Sequence, residues 1–190
     1  MGSRYGGHKS FLGISLLNEG MGVGVPLGVL KKYYLEAYKA VRKHSPCGYV
    51  GIAPRYRRSL DELSGFMAGN EYSNVVLDLH SYVTHDPRFN GQTTKNAIDH
   101  IREAVRSQIE RLQDGGRQVV IGEWAIALKN GNEASDKEFE EFTSAQLEVY
   151  SEAKAGWFFW SHKMGREGWP HWSFRESVTK GWLPFKVEGN

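Results

Sequence analysis

The sequence predicts an α/β fold built on a parallel sheet, and two patterns carry this prediction. Five short apolar runs lack the alternation of polar and apolar residues, which is typical of parallel strands covered on both faces. A polar or helical stretch follows each run, and alternating strands and helices define the α/β class. The predicted strands are FLGISLL (11–17), YVGIA (49–53), NVVLDLH (74–80), QVVIGEW (118–124) and GWFFW (156–160).

Helices are predicted between the strands from apolar spacing and end signals. Residues 26–44 begin with proline and end with basic residues, as helices often do. Residues 96–113 place five aliphatic side chains on one helical face. Two further segments, 59–69 and 135–153, open with the serine and glutamate of a capping box, which are Ser59 with Glu62 and Ser135 with Glu138.

Composition and length exclude several classes of protein. The 190 residues suit a single domain or a large piece of one. A net charge of +2 gives no basic surface for nucleic acid. No apolar run approaches the roughly 20 residues of a membrane span, and the first ten residues lack the apolar core of a signal peptide. The single cysteine, Cys47, excludes an internal disulfide framework.

Polar or aromatic groups that could carry chemistry follow nearly every strand. An open sheet concentrates its ligand groups at one switch point, whereas a (β/α) barrel collects them from most strand ends. The pattern therefore favours a barrel, whose strand ends share one rim. The residues concerned are Asn18 and Glu19 after the first strand, His80 and Tyr82 after the third, Glu123 in the fourth, and Trp160 after the fifth.

Two glutamates on one rim point to chemistry on a glycosidic bond. One carboxyl group can protonate the departing oxygen while the other attacks or stabilises the sugar carbon. We therefore expect Glu19 and Glu123 to face each other. In a retaining mechanism their carboxyl groups would lie about 5–5.5 Å apart.

The motifs resemble glycoside hydrolase family 5, and within it the exo-β-1,3-glucanase (glucan 1,3-β-glucosidase) branch. The similarity extends over nearly the whole chain and implies one partial catalytic domain over residues 1–190. It corresponds to strands 4 to 8 of a TIM barrel, without the first three β/α units. The segments that carry it are RYGGHKSFLGISLLNE, LKKYYLEAYKAVRKH, VVLDLHSY, VVIGEWAIAL and GWFFWSHK.

The resemblance implies a role for each strand-end residue. Glu19 would be the general acid/base and Glu123 the nucleophile in retaining hydrolysis of β-glucosides, a reaction of polysaccharide catabolism that needs no cofactor and no metal. Asn18 would contact the sugar 2-hydroxyl, and Trp160 would be a stacking platform. Substrate contacts are thus implied for Asn18, His80, Tyr82 and Trp160.

Two departures from the family pattern matter. Gly20 stands where the family usually has proline, which leaves the loop after Glu19 looser. The family's first three strands, with an arginine and a histidine that join the nucleophile's network, have no counterpart. We therefore expect the isolated chain to be poorly stable and nearly inactive. We also expect its apolar sheet edges, 11–17 and 156–160, to pair with a second copy or with an upstream barrel half.

The expected partner is a β-glucan or β-glucoside substrate, with neither nucleic acid nor membrane. Members of this branch are usually secreted or held in the cell wall. An alternative is a catalytically inactive remnant that binds carbohydrate or serves as an interaction module. A nucleotide-binding open sheet is a third hypothesis, but residues 20–28 lack the G-x-G-x-x-G spacing.

Each candidate residue also has a structural interpretation. His80 could be a core histidine, Trp160 could fill the barrel core, and Trp169 and Trp172 could form a lid or contact sugar. His80 with His85 and Asp86 fits no recognised zinc spacing. The arginines Arg55, Arg57 and Arg58 are interpreted as a solvated loop.

Overall fold

Five parallel β-strands alternate with helices in the computed structural model, as the apolar runs predict. The structure describes residues 2–20, 24–56, 59–129, 134–165 and 168–185. The strands form one sheet in the order β1-β2-β3-β4-β5. They are β1 (Gly13–Ser15), β2 (Tyr49–Ile52), β3 (Val75–Ser81), β4 (Gln118–Trp124) and β5 (Trp157–Phe159).

The end strands are shorter than predicted, whereas the inner strands agree well. Both β1 and β5 have three residues instead of the longer runs over 11–17 and 156–160. The fourth strand has the bounds predicted for it, 118–124. Long apolar edges were therefore a wrong expectation, because the flanking apolar residues leave the ladder.

Six α-helices lie among the described residues, with shorter helical turns between them. They are α1 (Gly2–Tyr5), α2 (Leu27–Arg42), α3 (Thr94–His100), α4 (Arg106–Asp114), α5 (Asp136–Tyr150) and α6 (Phe174–Thr179). A π-helical turn, Ile101–Val105, joins α3 to α4, and 3-10 turns occupy Leu60–Leu63, Pro87–Phe89 and Pro170–Trp172. None of the helices in the described ranges is long and apolar enough to cross a membrane.

One predicted capping box is present and the other is wrong. Ser135 accepts from the backbone of Glu138 while the Glu138 carboxylate binds back to Ser135, so α5 begins as predicted. Ser59 caps a 3-10 turn through the backbone N–H of Asp61 instead.

The carboxylate of Glu62 serves a different purpose from the predicted cap. It accepts the backbone N–H of Arg55 at 2.7 Å and two guanidinium hydrogen bonds at 3.1 and 2.9 Å. The solvated-loop interpretation is therefore wrong for Arg55, whose side chain is 20% exposed. The other two arginines, Arg57 and Arg58, lie outside the described residues.

The chain divides into two compact units, each with its own core. The first comprises Met1–Leu79 with Leu112–Val120. Its helix α2 buries Leu30 and Tyr34 on the side of β2. The Tyr34 hydroxyl donates to the carbonyl of Ala53 at 2.8 Å and accepts from the same residue's N–H at 3.2 Å, which pairs both polar groups of the backbone after β2.

The second unit comprises His80–Arg111 with Ile121–Asn190. Its core centres on the fully buried Trp124 of β4, which packs edge-on against Tyr150 of α5 at 5.3 Å. The same indole packs against Trp157 at 5.3 Å and Phe159 at 4.9 Å, both in β5. Aromatic pairs of this geometry add about 0.5–1.5 kcal/mol each beyond area burial, so this cluster firmly fixes the end of β4.

Candidate active site

The position of Glu123 follows from the burial of its neighbour in β4. Successive side chains of a strand point to opposite faces. Because Trp124 packs against α5 and β5, Glu123 is directed to the other face of the sheet. Its side chain remains 13% exposed, which leaves the carboxylate accessible at the end of a buried strand.

The same argument applies to His80 and Tyr82 at the end of β3. Between them lies the buried Ser81, whose hydroxyl accepts a 2.8 Å hydrogen bond from Tyr150 of α5. Burial raises the pKa of Tyr150 to about 12, so its phenol remains a protonated donor. Since Ser81 faces the helix, His80 and Tyr82 face the opposite side, as Glu123 does.

Three of the predicted residues therefore come together in the second unit. The Tyr82 hydroxyl donates to Oε2 of Glu123 at 2.8 Å, and Nδ1 of His80 lies 3.6 Å from the same oxygen. The His80 side chain is 12% exposed. Hydrogen bonds to the charged form of a carboxylate favour that form, so the arrangement suits a carboxylate that must act as an anion.

Trp160 lies just after β5, and its indole is 50% exposed. Trp160 is therefore not part of the buried core of the second unit. Its backbone N–H donates to the carbonyl of Trp124 at 2.8 Å, which ties it to the end of β4 beside Glu123. An exposed indole held by a rigid strand end offers a flat apolar face to a ligand.

In the first unit, Asn18 and Glu19 follow β1, as predicted. Asn18 is exposed and Glu19 is half-buried. The positive φ of the loop, 42°, belongs to Glu19 and not to Gly20, and a non-glycine residue rarely adopts this conformation. The expected looseness of Gly20 is offset by its carbonyl, which accepts the Tyr56 N–H at 2.8 Å.

Sequence reasoning missed two features, one in each unit. Asp78 in β3 is 6% exposed and accepts a 2.7 Å hydrogen bond from the Ser15 hydroxyl. A charged residue inside an apolar strand was the available signal. Trp172, His85 and Tyr82 form a triangle of rings with centroids 5.4–5.6 Å apart, and nothing in the sequence specified that contact.

The possible metal set of His80, His85 and Asp86 is not assembled. His80 faces Glu123, whereas His85 packs on Trp172. The Asp86 carboxylate binds Arg88. The Arg88 guanidinium accordingly holds the pKa of Asp86 below its ordinary value.

The fold and the strand-end carboxylate place the chain in the (β/α)-barrel class, of which it holds five β/α units. A model of the cellulase family (glycosyl hydrolase family 5) matches residues 1–165, and the chain belongs to this family.

The chain is also similar in sequence to named glucan 1,3-beta-glucosidases. The chain is 26% identical to a glucan 1,3-beta-glucosidase of Yarrowia lipolytica, over 92% of its own length and 48% of the relative's. It is 25% identical to a probable glucan 1,3-beta-glucosidase A of Aspergillus terreus, over 87% and 46% respectively. The chain thus spans about half the length of the relatives it matches.

Solved structures share the fold. A rutinosidase from Aspergillus niger superposes with a TM-score of 0.67 at 18% identity, covering 86% of this chain and 46% of that one. An endoglucanase from Thermotoga maritima superposes with a TM-score of 0.66 at 17% identity, covering 94% and 62%.

Proposed function

We propose that this protein is a retaining glycoside hydrolase acting on β-glucosides, and that β-1,3-glucan is its substrate. The observation that carries the proposal is the environment of Glu123, whose Oε2 accepts from Tyr82 at 2.8 Å and lies 3.6 Å from Nδ1 of His80. The hydrogen bond from Tyr82 and the imidazole beside the same oxygen restrict the orientation of the carboxylate. That preorganisation is what a nucleophile needs.

The proposed reaction has two steps. Glu123 attacks the anomeric carbon while the carboxylic acid of Glu19 donates its proton to the leaving oxygen, which gives a glucosyl-enzyme ester. Glu19, now a carboxylate, then takes a proton from water, and the resulting attack releases glucose and restores Glu123.

Sugar recognition is proposed for one residue after the end strand of each unit. The half-exposed indole of Trp160 fits the apolar face of a pyranose ring. Asn18 is an exposed amide next to the proposed acid and could hydrogen-bond the 2-hydroxyl. The choice of β-1,3-glucan rests on relatives named glucan 1,3-beta-glucosidase.

Hydrolysis assays test the proposal directly. Purified protein is incubated with 4-nitrophenyl β-glucoside and with laminarin, and the first-formed anomer is followed by proton NMR. Initial release of β-glucose supports retaining exo-hydrolysis. Release of α-glucose would contradict retention, and longer oligosaccharides as first products would contradict exo action.

A second candidate is a carbohydrate-binding protein without turnover. It is favoured by one observation, namely the half-exposed indole of Trp160, whose flat apolar face can bind sugar without any bond being broken. Calorimetric titration with laminari-oligosaccharides, run beside the hydrolysis assay, separates the two candidates. Binding with no product after prolonged incubation would support the second candidate over the first.

A further inference from the structure

The 3-10 turn Pro170–Trp172 is fastened by hydrogen bonds to the rest of the second unit. Each of its three carbonyl groups accepts a hydrogen bond from a different part of the second unit. The Ser177 hydroxyl donates to Pro170 at 2.9 Å, the Ile126 N–H to His171 at 3.2 Å, and the Ser161 N–H to Trp172 at 2.8 Å. Two of these donors, Ile126 and Ser161, lie just beyond the ends of β4 and β5.

The side chain of His171 anchors one side of the turn. Its ring stacks on Phe139 of α5 with centroids 5.6 Å apart and planes 12° apart, and on Trp182 at 6.4 Å. Trp182 is itself fixed, because its indole N–H donates to Asp136 at 2.8 Å. The turn is therefore fastened to the start of α5 as well as to the strand ends.

The next side chain, Trp172, makes ring contacts with Tyr82 at 5.4 Å, with His85 at 5.5 Å and with Trp169 at 6.5 Å. Tyr82 is the phenol that donates to Oε2 of Glu123. A phenol ring can swing about its side-chain torsions unless neighbours restrict it, and packed rings supply that restriction. The contact with Trp172 thus lies between a rigid turn and the hydrogen bond to Glu123.

We propose that Trp172 is a positioning residue that acts through Tyr82 to fix the carboxylate of Glu123. This inference rests on the proposed function, because it assigns Trp172 a task in the same site. The rigid turn holds the indole, the indole holds the phenol, and the phenol holds the carboxylate oxygen. Loss of the indole should release Tyr82 and disorder the nucleophile.

A double-mutant cycle tests the coupling on the full chain with 4-nitrophenyl β-glucoside. We expect Tyr82→Phe and Trp172→Leu each to lower kcat/KM by about 10- to 100-fold. If Trp172 acts through Tyr82, the double variant falls no further than the worse single variant. Multiplicative losses would overturn the proposal. Phe185→Leu is the matched control and should retain activity, because this 39% exposed ring packs on Phe174 and Trp157 instead of the Tyr82 and Trp172 rings.

The acidic limb of the pH profile supplies a readout that general destabilisation would not move. A hydrogen bond to a carboxylate stabilises its charged form, so losing it should shift the acidic limb of kcat/KM to higher pH. We expect this shift in Tyr82→Phe and in Trp172→Leu, and not in Phe185→Leu. An unshifted limb in Trp172→Leu would contradict the proposal. If Trp172→Leu does not fold, Trp172→Phe, which keeps a smaller ring, replaces it and should show a smaller shift in the same direction.

An activity-independent measurement separates this inference from the proposed function. Protein carrying ¹³Cζ-labelled tyrosine is examined by NMR, and the Tyr82 signal is identified by its loss in Tyr82→Phe. We expect Trp172→Leu to move or broaden that signal and Phe185→Leu to leave it unchanged. An unmoved Tyr82 signal would overturn the positioning role. Absence of any hydrolysis by the unmodified protein would count against the hydrolase proposal alone.

Discussion

Nδ1 of His80 lies 3.6 Å from Oε2 of Glu123, the oxygen that also accepts the hydrogen bond from Tyr82. These residues come from two neighbouring strands, and 43 positions separate His80 from Glu123 in the chain (123 − 80). Their meeting follows from the alternation of side chains at the ends of β3 and β4.

In any preparation that hydrolyses glucosides, Glu123→Gln should abolish turnover, because a neutral amide cannot form the ester intermediate. We expect kcat to fall by at least about a thousandfold on both aryl glucosides and glucan. The matched control is Glu140→Gln, the same change at an exposed position of α5, which should retain activity. Appreciable turnover by Glu123→Gln would remove this residue from the mechanism.

The loss of activity in Glu19→Ala should depend on the leaving group of the substrate. A nitrophenolate departs without protonation, whereas a sugar alkoxide needs an acid. We therefore expect the variant to lose far more activity on laminarin than on 2,4-dinitrophenyl β-glucoside. Asn18→Ala is the neighbouring comparison and should affect both substrates alike. Equal losses on the two substrates in Glu19→Ala would be incompatible with the acid/base role.

Tyr34→Phe should destabilise the first unit. The Tyr34 hydroxyl pairs both the N–H and the carbonyl of Ala53 in a buried site, and burial raises its pKa to about 12. Without it, two backbone groups lose their partner at a cost of about 1–3 kcal/mol. Urea unfolding measures this change. Tyr33→Phe, at a 44% exposed position whose hydroxyl donates to Leu16, is the adjacent control and should cost less.

Stability should fall as pH drops below about 6.5. Burial lowers the pKa of His171 and of His100 beneath their ordinary value of 6.5, so the unfolded chain takes up protons there before the folded chain does. Each histidine contributes a slope of at most about 1.4 kcal/mol per pH unit.

The variant His171→Phe tests this origin. It keeps an aromatic ring between Phe139 and Trp182 but cannot be protonated. Melting curves between pH 7.5 and pH 5 should therefore show a shallower decline for the variant than for the unmodified chain. The exposed His8→Phe serves as the control and should leave the slope unchanged. An identical slope in His171→Phe would show that this histidine does not contribute.

The isolated chain should associate through its sheet ends. Strands β1 and β5 lie at the two ends of the strand order, and β5 carries the 54% exposed Phe158. Light scattering after gel filtration should give a mass that rises with concentration. Phe158→Lys, which places a charge on the edge strand, should reduce that rise, whereas Val29→Lys at a 59% exposed position of α2 should not. A single monomeric mass at all concentrations would refute this expectation.

Much of the fold could be predicted from local pattern. The strand QVVIGEW (118–124) and the capping box of Ser135 with Glu138 depend on residues that are neighbours in sequence, and both are present in the structure. The capping box predicted for Ser59 with Glu62 failed because the glutamate has a partner outside the turn. Glu62 was assigned to a local cap, but Arg55 offers it three hydrogen bonds from outside the turn. A multiply bonded ion pair outcompetes a single capping contact.

The sequence by itself determined the parallel α/β architecture and the placement of Glu19, His80, Tyr82 and Glu123 at strand ends. Both depend on the spacing of apolar residues, which can be read directly from the sequence. Only the tertiary structure decided that Tyr82 and His80 lie at the same carboxylate oxygen of Glu123. It also decided that Trp160 is exposed and that Trp172 packs on Tyr82. Those contacts join segments far apart in the chain. Their geometry is set by close packing of the whole unit, which no local pattern encodes.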